Sequence, residues 1–130
     1  MSTFQSFEEI EAWKKARQLT REIYDASNKD SFSRDFALRN QIRRASTSIM
    51  SNIAEGFERG GSKEFIQFLS ISKGSAGEVK SQLYVALDQD YLDQGNFKRL
   101  ISLVDEIALI IGGLMVYLRK SEMKGPKYTK

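Results

Sequence analysis

LRNQIRRASTSIMSNIAEGF, residues 38–57, is the stretch whose spacing decides the fold. Leu38, Ile42, Ala45, Ile49, Asn52 and Gly56 follow one another at steps of four or three, the stripe of a helix packed against other helices. The middle of that stripe is small, because Ala45, Ser48 and Ser51 flank Ile49, so a second helix can come close. On the adjoining face Arg39 and Arg43 stand one turn apart, with Arg44 further round. The stretch therefore predicts one long helix with a packed side and a cationic side.

Working outward, three more helices are predicted. The first covers about residues 6–27, with Ser6 as cap and a stripe of Phe7, Ile10, Trp13, Ala16, Leu19 and Ile23. NKDSF, residues 28–32, reads as a polar link, and Ser33 as the cap of the second helix at about 34–59. Gly60 and Gly61 end that helix, and Ser62 caps a third at about 63–89. Gly74 and Gly77 fall inside the third helix, where each costs roughly 1 kcal/mol against Ala, so they predict a close approach by a neighbouring helix. Gly95 marks the next turn, and the fourth helix covers about 96–120. Its apolar residues occupy more than one face, which predicts burial between subunits as well as inside one. Nothing alternates with period two. The expected fold is all-α, an antiparallel up-down-up-down four-helix bundle over residues 1–121, followed by a basic tail at 122–130.

Composition narrows the chemistry. The 130 residues suit one domain, and with no Cys and no His there is no disulfide, thiolate site, Ser-His triad or Glu-x-x-His metal motif. No enzyme activity, metal or cofactor is expected. Net charge is +3, concentrated in residues 31–60 and 93–130, a mild bias toward anionic partners. The start of the chain is polar and acidic, unlike a secretory signal. IALIIGGLMVYL, residues 107–118, falls short of the roughly 20 apolar residues of a membrane span. It is read as a buried helix of a cytoplasmic protein, with no membrane partner.

Three segments carry a resemblance: IEAWKKA at 10–16, QIRRASTSIMSNIAEG at 41–56 and FLSISKGSAGE at 68–78. In this order and spacing they resemble the bacterial four-helix-bundle proteins encoded in intervening sequences of 23S ribosomal RNA, often labelled ribosomal. The resemblance implies a ring-shaped homopentamer without catalytic activity. It extends to the accessory subunit of diversity-generating retroelements, a pentameric bundle whose basic surface binds RNA and a reverse transcriptase.

Of the polar motif residues, Asn52 is expected to fix register and partner choice from a core position. Glu78 is expected to cap or hydrogen-bond across the glycine-rich contact. Glu55 and Gly56 belong to the same motif, and Trp13 is read as a core or interface anchor. Arg39, Arg43 and Arg44 are the leading nucleic-acid contacts, with Arg17 and Arg21 on the first helix and Arg119, Lys120, Lys124 and Lys127 near the end as secondary candidates. Salt bridges or a plain solvated face are the competing readings of those arginines. Tyr84, Tyr91 and Tyr128 are candidate stacking rings, Tyr84 being read as partly core. Two functions follow: RNA binding through a basic outer surface, or a homo-oligomeric scaffold that recruits a protein partner such as a reverse transcriptase.

Overall fold

Ile10 turns the chain near its start: its extended backbone separates a short 3-10 turn, Phe7–Glu9, from helix α1, Glu11–Ser27. Ser6 makes no side-chain cap, so the first helix begins later than the expected residue 6. The computed structural model describes residues 4–123. Among them the chain is all-α, continuing with α2, Asp30–Arg34, α3, Phe36–Glu58, α4, Ser62–Asp88, and α5, Gln94–Met123, and without a strand.

The short α2 lies where a featureless link was expected. Its cause is Phe32, which is buried in the core and stacked on Tyr91 with ring centroids 5.1 Å apart. Burying one phenyl ring contributes about 1.5–3 kcal/mol toward ordering this segment. Ser33 lies inside α2, and Asp35 caps α3 instead, its carboxylate accepting from the Leu38 backbone N–H at 3.1 Å. The other Asp35 oxygen accepts from the Tyr91 hydroxyl at 2.9 Å, tying the link before α3 to the link before α5.

Gly60, at φ +89°, ends α3 in the left-handed region that only glycine enters freely. At the end of α4 the same turn is made by Asp90, at φ 64°. The Tyr91 N–H reaches back to the Ala86 carbonyl at 2.9 Å and the Asp90 N–H to that of Leu87 at 3.0 Å, the paired bonds of a Schellman ending. Gly95, the expected turn residue, instead belongs to the first turn of α5, which Asp93 caps through the Asn96 N–H at 2.7 Å.

One apolar core runs through α1, α3, α4 and α5, and its largest fully buried side chains include Leu19, Ile42, Ile49, Phe65, Leu83 and Ile107. Ion pairs close its rim, Lys15 to Glu106 at 3.2 Å between α1 and α5 and Lys80 to Asp105 at 2.8 Å between α4 and α5. The hydrogen-bonded, charged Asp105 carboxylate holds the Lys80 ammonium above its usual pKa. By length and composition α5 is apolar enough to cross a membrane, yet its inner face is core, with Leu100, Val104, Ile107, Ile111 and Leu118 buried.

Between α3 and α4 the small residues of the sequence make a polar seam. The Ser72 hydroxyl donates to the Ile49 carbonyl at 2.6 Å, and the Ser48 and Ser75 hydroxyls lie 2.9 Å apart in a hydrogen bond. Asn52 stands at the edge of the seam and only half-buried. Its amide donates to the Ser48 carbonyl at 2.9 Å and to the Ser48 hydroxyl at 3.0 Å, while Ile53 takes the core position expected of it. Gly56 provides the closest approach, since a Cβ there would stand 2.7 Å from Phe68 Cβ and 3.0 Å from a Phe65 ring carbon. Gly74 and Gly77 do not share in this contact: both are exposed, with open space where a side chain would go.

Candidate nucleic-acid interface

The opposite flank of α3, toward α1, is built from long cationic and aromatic side chains. Phe36, Arg39 and Arg43 fall at i, i+3 and i+7 on α3, while Trp13, Arg17, Arg21 and Tyr24 recur at about one-turn spacing on α1. The two helices are locked together beneath them. Thr20 places its hydroxyl 2.8 Å from the Ala16 carbonyl and 3.2 Å from the Ser46 carbonyl, bridging the pair. The Arg43 Nε donates to the buried Ser27 hydroxyl at 2.8 Å, which fixes the guanidinium over the Tyr24 ring at 4.6 Å.

The same pairing repeats along the edge. Arg39 lies 4.8 Å over the Phe36 ring and donates to the Ser33 carbonyl at 3.0 Å, and Arg17 lies 6.0 Å from the Trp13 ring centre. Trp13 in turn meets Phe7 edge-on at 5.1 Å and is partly buried against the core. A guanidinium has five N–H donors, so with these contacts made Arg17, Arg39 and Arg43 still offer charge and hydrogen bonds to a ligand. Arg21 and Arg44 are exposed, and their side chains carry no partner among the described residues.

Among the described residues, four cations elsewhere on the surface are charge-paired, whereas the arginines of this edge, like Lys63, Lys73 and Lys98, are not. Lys15, Arg59, Lys80 and Arg99 each meet a carboxylate. Among the described residues none of Arg17, Arg21, Arg39, Arg43 and Arg44 does, so the salt-bridge reading of these arginines finds no carboxylate within the chain. Asp35, the carboxylate nearest in sequence to Arg39, is already held by Leu38 and Tyr91.

Two rings on this edge were not singled out from the sequence. Phe36 is 62% exposed and Tyr24 42% exposed, and both underlie arginines. Of the rings that were singled out, Tyr84 is exposed but packs edge-on against Phe97 at 4.9 Å, and Tyr91 is stacked on Phe32. Tyr128, Lys124 and Lys127 lie outside the described residues. Arg119 and Lys120 are exposed near the end of α5, away from this edge. Glu55 pairs with Arg59 one turn on at 3.0 Å, and Glu78 is exposed with no partner among the described residues rather than bonded across to α3.

Two further surfaces stand apart. At the end of the core where the links meet, a polar cavity of about 340 Å³ is lined by Glu22, Asp25, Lys29, Asp90, Tyr91 and Arg99, with Glu22 and Arg99 paired across it. On the outside of α4 and α5 a groove of about 790 Å³ has a floor of Ala108, Leu109, Gly112, Gly113 and Val116 between Lys73, Lys80 and Arg119. Leu109 is 77% exposed there.

By fold the molecule is an all-α protein of long helices with one open cationic edge. The model of the 23S rRNA-intervening sequence protein family matches residues 8–113, and the chain belongs to that family. Among solved structures, a protein of unknown function from the S23 ribosomal protein family of Bacteroides thetaiotaomicron superposes with a TM-score of 0.73. The match covers 80% of this chain and 97% of that one at 21% identity, a likeness of fold. No curated protein matches.

Proposed function

We propose that this protein is a non-enzymatic, oligomeric four-helix bundle that binds RNA through the α1/α3 edge. In this reading the four long helices run up and down in alternation, α2 is an insert in the first link, and copies in the cytoplasm join through the outer groove of α4 and α5. A five-membered ring, the assembly that the family resemblance implies, repeats the cationic edge five times. The observation that carries the reading is the α1/α3 edge itself, where Arg17, Arg21, Arg39 and Arg43 stand among the aromatic rings Trp13, Tyr24 and Phe36 and none of the four meets a carboxylate among the described residues. Phosphate contacts from such a set give affinity that falls linearly with the logarithm of salt concentration. Filter binding of a structured RNA across a salt series tests it: the expected result is binding at low salt with a clear negative slope. Negligible binding at low salt, or a flat slope, overturns it.

A scaffold for a protein partner, such as a polymerase, is the second reading, and the apolar groove of α4 and α5 favours it. Sedimentation at micromolar concentration separates the occupants. A ring fills the groove with a neighbouring copy and leaves the arginines to meet a partner's acidic surface, whereas a lone chain removes the oligomeric scaffold.

A further inference from the structure

The arginines alone attract any polyanion, whereas the rings beneath them do not serve every nucleic acid equally. In a duplex the bases are stacked on one another and only phosphates, sugars and groove edges are presented, so an exposed phenyl ring has nothing to stack on. In a single strand each base has a free face, and basic grooves with aromatic platforms are how proteins hold such strands without reading their sequence.

We propose that the α1/α3 edge takes single-stranded rather than double-stranded RNA, with the Arg39–Phe36 and Arg43–Tyr24 pairs as base-stacking platforms, each base lying on the guanidinium plane or on the ring surface that the guanidinium leaves open. This rests on the RNA reading above and sharpens it. Both rings are large, exposed aromatics on a surface whose core has no need of them, and each lies against a guanidinium that no carboxylate neutralises. Arg43, over Tyr24, lies seven positions beyond Phe36 on α3, which at about 1.5 Å per residue separates the two platforms by roughly 10 Å along the helix. A stacked strand advances about 3.4 Å per nucleotide, so the two platforms would be reached by bases roughly three nucleotides apart. The arginine beside each ring is then placed for the adjoining phosphate. Ser27 acts as a positioning residue, because its buried hydroxyl accepts from Arg43 and fixes the guanidinium over Tyr24.

The test is fluorescence anisotropy of the full chain with a labelled twelve-nucleotide oligouridylate and a twelve-base-pair RNA duplex. Wild type is compared with Phe36→Ala, Tyr24→Ala and Phe36→Trp, circular dichroism confirming the helical content of each. The single strand is expected to bind about tenfold or more tightly than the duplex at equal salt. Phe36→Ala is expected to weaken single-strand binding by about 5- to 100-fold, the range set by loss of one base–ring stack, with the salt slope unchanged, and Phe36→Trp to retain it. Equal affinity for the duplex, or a Phe36→Ala protein that binds the single strand as wild type does, overturns the stacking inference and leaves the RNA reading standing. Failure of both probes to bind at low salt overturns the RNA reading itself.

Discussion

The two flanks of α3 differ in how they use polar residues. Toward α4 the polar groups are short and spend their hydrogen bonds on one another: Ser72 on Ile49, Ser48 on Ser75, Asn52 on Ser48, with Gly56 letting Phe68 press in. Toward α1 they are long and cationic, and after packing on rings they still present donors and charge to solvent. A satisfied seam of small groups holds two helices in place, whereas an edge of large ones keeps charge and donors available to solvent. The comparison teaches that polar residues on a helix acquire meaning from reach, more than from polarity.

The largest expected effect lies on the closed flank. Gly56→Ala puts a Cβ 2.7 Å from Phe68 Cβ, so α3 and α4 must part, costing on the order of 1–3 kcal/mol. Thermal melting should fall by several degrees; an unchanged midpoint would show that the seam is looser than its distances indicate. Next, Ser72→Ala removes the donor to Ile49 and is expected to cost about 0.5–1.5 kcal/mol by urea unfolding. A neutral result would mean that the seam's hydrogen bonds do not contribute.

Gly77→Ala sharpens the comparison from outside. Within one chain its Cβ meets nothing, so the helix should gain roughly 0.5–1 kcal/mol. If α4 packs against a neighbouring copy at this glycine, as assembly through the outer groove suggests, sedimentation should instead show weakened association. Stabilisation with assembly unchanged removes Gly77 from the contact between copies.

The smallest effect is in alkaline solution. Hydrogen bonding of the Tyr91 hydroxyl to Asp35 raises its pKa above the ordinary value of 10.0, favouring the neutral phenol in the folded state. Its contribution is thus fully present below the unfolded phenol's pKa and is lost as pH climbs through the higher folded value. Wild type should lose stability relative to Tyr91→Phe above about pH 10, and parallel melting curves across that window would contradict it. Lys80 titrates in the same direction in both proteins and cancels from the difference.

Much of this was legible in the residues. The long helices, the core stripe of α1 from Ile10 through Ala16 and Leu19 to Ile23, and the break at Gly60 and Gly61 follow from spacing and glycine chemistry, and they lie close to where spacing predicts. The arginine edge was legible too, since Arg39 and Arg43 fall off the apolar stripe. What escaped depended on tertiary partners. A single buried Phe32 turns a polar link into α2, and Asp90 does a glycine's work at a helix end because Asp tolerates the left-handed region better than most side chains. Gly74 and Gly77 read as packing residues, yet Ser72, Ser75 and Ala76 take that side of α4. Tyr24 and Phe36 escape a reading by spacing because aromatics default to the core. Tyr24 lies one residue off the Ala16, Leu19, Ile23 stripe and Phe36 two before Leu38, and that offset was the available signal.

The central claim is that the α1/α3 edge, and not cationic charge in general, meets RNA phosphates. It is tested most directly by the salt dependence of RNA binding for Arg17→Ala/Arg21→Ala against Lys63→Ala/Lys98→Ala, two doubles that remove equal charge from exposed positions. The arginine double should reduce the log–log slope by about 1.5, at roughly 0.7–0.9 per lost phosphate contact, while the lysine double leaves it at the wild-type value. Equal slopes in the two doubles would contradict the account.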